Sequence, residues 1–252
     1  MTHFFILKNE VYSQMYDLNT YVDKIFYINL TDRPDRQTLI EAEFAKHNIY
    51  NYERVAGITL SVVPEKHKIK GPYNNEPDID KYIKGSLGCL ASHRHIFELA
   101  LKRGYRSICI FEDDITLVED FSTRFDQFIT ELERTNKDYQ FAYMGLSGKH
   151  WNEEEAKDKA KPETVVQVNG YAYGAYAYIV RDLGWVFQYV LNNMDYTGQE
   201  VDLTYNSLII QSYISMAYVA SPHLVGHNYE LGSNIRWRGG WRVAIDTSLL
   251  FS

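Results

Sequence analysis

The amino-acid sequence predicts a single α/β domain, a largely parallel sheet flanked by helices. Three observations carry that expectation. Short apolar runs alternate with amphipathic segments through the first half of the chain, the pattern of strand–helix units. One such run, Ser107-Ile108-Cys109-Ile110-Phe111, passes straight into Glu112-Asp113-Asp114. Consecutive carboxylates repel unless something positive meets them, and open α/β sheets bind ligands beyond the carboxyl ends of their strands. Finally, 252 residues, 45% of them hydrophobic, suffice for one large domain with a substantial core.

In chain order, residues 1–22 form an N-terminal extension, and Lys24 to Leu30 reads as the first buried strand. Thr31-Asp32-Arg33-Pro34 opens a helix with Pro34 in its first turn and Leu39, Ile40 and Phe44 on its apolar face. Tyr50 to Val55 supplies a second strand. Residues 64–85, with Pro64, Pro72 and Pro77, form a long polar segment expected to be a flexible loop, either a flap beside a site or a plain surface excursion. Gly88-Cys89-Leu90-Ala91-Ser92-His93 leads into a helix that buries Ile96, Phe97, Ala100 and Leu101 and stops at Gly104. After the carboxylates, a helix over Glu119 to Asn136 spaces Phe121, Phe125, Phe128, Ile129 and Leu132 along one face. Phe141 to Met144 is a strand, and Trp151 to Pro162 a charged surface loop. Tyr171 to Val180 mixes tyrosines with small residues, as strand and turn where something approaches the backbone closely. Asp182 to Asn192 reads as a helix, Tyr213 to Ala220 as the last clear strand, and 233–252 as a C-terminal lid or tail.

Composition excludes some functions. A net charge of −7 argues against nucleic-acid binding, which needs a basic face. Cys89 and Cys109 read as reduced, with no cysteine spacing of the metal-binding type. The apolar run Phe4 to Leu7 is too short for a signal sequence or a membrane span, so the expectation is a cytoplasmic protein without a transmembrane segment. The 21 tyrosines suit strands and cores, and a few can stack on sugar or base rings. Oxygen-rich carboxylate clusters suit Mn²⁺ or Mg²⁺, and such an ion commonly serves a diphosphate.

Four stretches, in order, resemble glycosyltransferase family 25, the group of lipooligosaccharide-type and collagen-type sugar transferases. They are Ile28-Asn29-Leu30-Thr31-Asp32-Arg33-Pro34-Asp35-Arg36, Gly88-Cys89-Leu90-Ala91-Ser92-His93, Glu112-Asp113-Asp114, and Gly170 to Val180. Pro222-His223-Leu224-Val225 is a weaker match. Ser86 stands where relatives often carry an acidic residue, which leaves open the contacts of that segment. The resemblance implies a GT-A type fold with a Rossmann-like nucleotide-binding sheet and an inverting transfer of galactose or glucose. The implied donor is a UDP-sugar, the acceptor a glycan or glycoconjugate hydroxyl, and the cofactor Mn²⁺.

On that reading Asp114 is the first metal ligand, and Glu112 either coordinates or holds the ribose of the donor. Asp113 points the other way, because alternate residues of an extended segment face opposite sides. His227, ahead of His223, is the candidate for a further metal ligand, with no metal role for either as the alternative. Inversion needs a general base, and Gly198-Gln199-Glu200-Val201-Asp202 offers Asp202 ahead of Glu200, with capping of the next helix as the structural alternative. Asn29, Arg33 and Arg36 hold the uracil or the phosphates, or the two arginines simply solvate a helical turn. Gly88, Ser92 and His93 mark a helix start whose N–H groups can meet an anion; for His93 the alternative is a buried, hydrogen-bonded ring. His93 and His95 lie two apart and cannot share a helix face, which argues against a zinc pair. Arg236 and Arg238 lie in a basic, aromatic stretch that forms either a lid over the diphosphate or a packed tail. Two other classes compete. A nucleotidyltransferase usually carries an early Gly-rich loop that residues 24–36 lack, and a tyrosine-rich carbohydrate-binding module has no need of carboxylates at a strand tip.

Overall fold

The first strand, β1 (Lys24–Asn29), buries Ile25, Phe26 and Tyr27 completely, as a strand covered on both faces must. A computed structural model describes residues 15–62, 79–146, 164–168, 173–197, 200–210, 216–228 and 231. In it β1 lies parallel to both β2 (Tyr52–Ala56) and β3 (Ser107–Glu112). The sheet continues through β5 (Phe141–Tyr143), β6 (Thr164–Gln167), β7 (Ala177–Arg181) and β8 (Ala217–Ser221), in the order β2-β1-β3-β7-β5-β8-β6. Five of the seven strands run one way, while β6 and β7 run against their neighbours. The expectation of a largely parallel sheet therefore holds with two reversals. A separate antiparallel ladder joins β4 (Ile115–Leu117) to β9 (Val225–His227), a strand beyond the one expected to be last.

Alternate residues of β3 feed two cores, one on each face of the sheet. Ile108 and Ile110 pack with α3 (Ile79–Arg103), α5 (Val186–Thr197) and α6 (Val201–Ile210). Cys109 and Phe111 pack with α1 (Leu18–Tyr21), α2 (Pro34–Lys46) and α4 (Phe121–Asn136). The α4 stripe Phe121, Phe125, Phe128, Ile129 and Leu132 is buried as its spacing predicts, each side chain contributing roughly 1.5–3 kcal/mol of transfer free energy.

Two helices depart from expectation. In α2 the buried stripe is Arg36, Ile40 and Phe44, one residue every four, and Leu39 is 49% exposed. A cation thus takes a core position, which requires partners for it. In α3 the helix begins at Ile79, so residues 79–85 of the expected flexible loop are helical. Its buried stripe runs Ile83, Ser86, Leu90, His93, Phe97 and Ala100, and tertiary packing along that stripe overrides the poor helix propensity of Gly85 and Gly88. The far end is as predicted. Gly104 has φ +71°, and the bonds Tyr105 N to Ala100 O (3.0 Å) and Gly104 N to Leu101 O (3.1 Å) form a Schellman cap. The remainder of the 64–85 segment, the Trp151 to Pro162 loop and the C-terminal stretch 233–252 lie outside the described residues.

Candidate active site at the carboxyl ends of β1 and β3

β3 ends at Glu112 and the chain bends through Asp113 and Asp114 before β4. Because the backbone is no longer extended there, the expected alternation fails, and Asp113 does not turn away. Both aspartates are buried and both meet one nitrogen: Arg36 Nη1 donates to Asp113 Oδ1 (2.7 Å) and to Asp114 Oδ2 (3.1 Å). Arg36 is itself 5% exposed, and its Nη2 donates to the Leu231 carbonyl. This corrects the solvated-turn alternative for Arg36, since a buried guanidinium balances charge buried beside it. Asn29, buried at the end of β1, donates from Nδ2 to Asp113 Oδ2 (2.7 Å) and to the Arg33 carbonyl, and accepts from Arg54 Nε. It holds Asp113 in place. Burial pushes the Asp113 carboxyl up, against the pull of the Asn29 and Arg36 hydrogen bonds.

Asp114 has a second neighbour. β9 pairs with β4 in the register Ile115↔His227, which sets His227 Nε2 at 3.3 Å from Asp114 Oδ2. Asn228 N donates to the Asp114 carbonyl. Asp114 Oδ1 is buried with no hydrogen-bond partner among the described residues. Glu112 looks elsewhere. Its Oε1 lies 3.6 Å from His93 Nε2 and 4.0 Å from Cys89 Sγ, and these ligand-type atoms all fall within 4.8 Å of one another. The two cysteines have no spacing of the metal-binding type. The fold instead joins Cys89 to His93, one helical turn apart on α3. Burial, and then the charges of Glu112, Asp202 and Asp114, push the Cys89 thiol well above its usual range.

A cleft of about 270 Å³ opens over these groups. Its floor includes Ile28 and Leu30, one wall is the segment Gly57 to Leu60, and the other is α3 with Lys81, Lys84, Gly85 and Cys89. Arg36, Ser92, His93, Glu112, Asp113, Asp114 and His227 also line it. Lys81 and Lys84 fall in the segment expected to be a polar loop, and their i, i+3 spacing around Ile83 is the sequence signal for a shared helical face.

Several assignments change. Ser92 and His93 lie in mid-helix, where backbone N–H groups are already bonded, so the helix-start anion site is overturned. Ser92 Oγ donates to Gly88 O (2.7 Å) and accepts from Ile58 N (2.8 Å), tying the 57–60 wall to α3. Gly88 is a packing position, since a Cβ there would stand 2.3 Å from the Ile58 carbonyl oxygen. Arg33 forks onto Asp35 through Nε (2.9 Å) and Nη2 (2.7 Å) at the surface and holds that carboxyl at about 2. Glu200 accepts from Tyr82 and, at 3.4 Å, from Ser86 of α3. Asp202, in the first turn of α6, accepts from Leu203 N (2.8 Å) and Gly174 N (3.3 Å). Neither residue lines the 270 Å³ cleft. His223 follows β8, and burial lowers its pKa. Arg236 and Arg238 lie outside the described residues. Among the described residues no helix is long and apolar enough to cross a membrane.

A family model for glycosyltransferase family 25 (LPS biosynthesis protein) matches residues 22–180. The probable inactive glycosyltransferase 25 family member 3 of Bos taurus is 29% identical over 171 residues, covering 63% of this chain and 27% of that protein. Procollagen galactosyltransferase 1 of Danio rerio is 26% identical over 225 residues, covering 81% of this chain and 36% of that protein. The chain thus spans only that share, 27% and 36%, of the length of these two relatives. A solved glycosyltransferase involved in the glycosylation of the major capsid of PBCV-1 covers 84% of this chain and 94% of that one. At 9% identity and a TM-score of 0.44, that likeness is too distant to argue from. With the family model matched across residues 22–180, well over half its length, this chain belongs to glycosyltransferase family 25.

Proposed function

We propose that this protein is a metal-dependent, inverting glycosyltransferase that moves galactose or glucose from UDP to a hydroxyl of a glycan or glycoconjugate. The observation that carries the reading is the pairing of Asp114 with His227 in the lining of the cleft, with Asp114 Oδ1 buried and without a hydrogen-bond partner among the described residues. Charge supports it. Asp113 and Asp114 bring two carboxylates to the single guanidinium of Arg36, which leaves room for a further cation beside Asp114. Oxygen and imidazole donors fit Mn²⁺ or Mg²⁺. Asp114 and His227 would hold the ion, which when bound offsets the negative charge that builds on a departing diphosphate.

The protein's own groups do the rest. Arg36 holds Asp113 and Asp114 in orientation, and Asn29 holds Asp113. Lys81 and Lys84, which line the cleft from α3, would offset the charge of an anionic leaving group bound there. The apolar floor of Ile28 and Leu30 suits the flat face of a base. Asp202, with Glu200 as the alternative, would take the proton from the acceptor hydroxyl as its oxygen bonds to the anomeric carbon and UDP leaves from the opposite face.

The test is thermal denaturation with UDP, GDP or CMP, each with and without Mn²⁺, followed by transfer and hydrolysis assays with UDP-galactose and UDP-glucose. UDP that stabilises only with Mn²⁺ supports the reading; at 100 times its Kd a ligand adds about 2.7 kcal/mol. No response to any nucleotide overturns the donor site. Because relatives include both galactosyltransferases and members named inactive, the binding and turnover arms are scored separately.

A further inference from the structure

We propose that Cys89, His93 and Glu112 form a second metal site, selective for a borderline-soft divalent cation of the Zn²⁺ class, with one coordination position open to the cleft. The inference stands on its own geometry and does not require the transferase reading.

Cys89 and His93 are i, i+4 on α3 and so share one face of the helix. That face meets the end of β3, where Glu112 stands. The three donor atoms lie within 4.8 Å of one another, with Nε2 to Oε1 at 3.6 Å and Sγ to Oε1 at 4.0 Å. Tetrahedral zinc at bond lengths of about 2.0–2.3 Å separates its ligands by about 3.3–3.8 Å. The trio needs to contract by a few tenths of an ångström along these two edges.

The second observation is independent of the cluster. His93 is fully buried, yet its Nε2 has no hydrogen-bond partner among the described residues. The other ring nitrogen is engaged: Nδ1 lies 2.6 Å from Tyr178 Oη, which in turn lies 2.7 Å from Tyr205 Oη. Ligating histidines are held this way, with Nδ1–H donating outward so that Nε2 presents its lone pair to the ion. In that tautomer the Nε2 lone pair, the thiol sulfur and a carboxylate oxygen converge on one point. Without a metal the Cys89 thiol donates to Glu112 Oε1 across 4.0 Å and His93 Nε2 is left unpartnered among the described residues; a cation would take the place of that thiol proton and engage all three atoms.

Donor chemistry separates this site from Asp114 and His227. A thiolate and an imidazole favour Zn²⁺, whereas carboxylate-rich surroundings favour Mn²⁺ or Mg²⁺. Three protein ligands leave a fourth position, as in zinc sites that exchange water for another ligand and unlike closed four-ligand structural sites. Cys89, His93 and Glu112 all line the cleft, so that position faces water or an oxygen donor bound there. On binding, the Cys89 S–H proton leaves to solvent and sulfur forms a bond to the metal as thiolate.

The test uses the full chain, stripped with a chelator and titrated with Co²⁺ as a spectroscopic stand-in for Zn²⁺. One equivalent should give a sulfur-to-cobalt charge-transfer band in the near ultraviolet, and Zn²⁺, but not excess Mg²⁺, should erase it. Cys89→Ser should abolish the band, while Cys109→Ala, which removes the other cysteine, should keep it. Tyr178→Phe should weaken Co²⁺ binding by about 10- to 100-fold, the usual effect of losing a group behind a histidine ligand. No band in the wild-type protein, or a band that survives Cys89→Ser, overturns the site whether or not any variant folds well. Asp114→Asn separates the two proposals: it should retain the thiolate band and lose the Mn²⁺-dependent response to UDP.

Discussion

His227 Nε2 lies 3.3 Å from Asp114 Oδ2, although the two residues are far apart in the chain: Asp114 immediately precedes β4 and His227 ends β9 of the small β4–β9 ladder. That ladder is what carries an imidazole to the tip of the main sheet. Asp114→Asn and His227→Ala should each remove Mn²⁺-dependent stabilisation by UDP. Removing several kcal/mol of charge stabilisation lowers transfer on the order of a thousandfold. Thermal scans without ligand should show both variants folded, and transfer close to wild type in Asp114→Asn would exclude it from the site.

Arg36 is the expected weak point of the fold. Its guanidinium is buried against Asp113 and Asp114, and truncation strands two buried carboxylates. Arg36→Ala should cost about 3–5 kcal/mol in denaturant unfolding. Mn²⁺ should recover part of that loss by supplying the missing positive charge, and a loss that Mn²⁺ leaves untouched would argue that the ion does not bind beside Arg36.

Gly88→Ala sets helix propensity against packing. Alanine is favoured by about 1 kcal/mol in a helix interior. Here the new methyl meets the Ile58 carbonyl at 2.3 Å, a backbone atom that must move with its segment, and overpacking typically costs about 1–3 kcal/mol. The net effect should be destabilising, with weaker nucleotide binding as the 57–60 wall shifts. A more stable variant with unchanged UDP affinity would show that this wall is free to adjust.

Asp202→Asn and Glu200→Gln separate the two candidate bases. Loss of a general base lowers turnover by about 10²–10⁴-fold. We expect that loss in kcat for Asp202→Asn, with donor binding little changed and a modest fall in melting temperature, because one of the two backbone N–H groups that the carboxylate accepts then faces an amide donor. Glu200→Gln should act mainly on stability through its Tyr82 and Ser86 partners. If Glu200→Gln carries the kcat loss instead, the roles exchange.

Much of the fold was legible in residues 25–28 and 108–111, because an unbroken apolar run of near strand length has only the sheet interior to occupy. The α4 stripe and the Gly104 stop were legible for the same local reason. The order of four short stretches pointed to the family. The chain alone did not reveal that Asp113 and Asp114 share a cation, because their partner Arg36 lies 77 and 78 residues earlier and looked like a surface arginine in a helical turn. Nor did it reveal the start of α3, whose glycines argue locally against a helix that only packing sustains. Strand direction in β6 and β7, the approach of His227 to Asp114, and the meeting of Cys89, His93 and Glu112 are likewise products of long-range pairing. Local periodicity determines which residues are buried and in what element. Which buried polar groups face one another is decided only when the sheet order and register bring distant strand ends together.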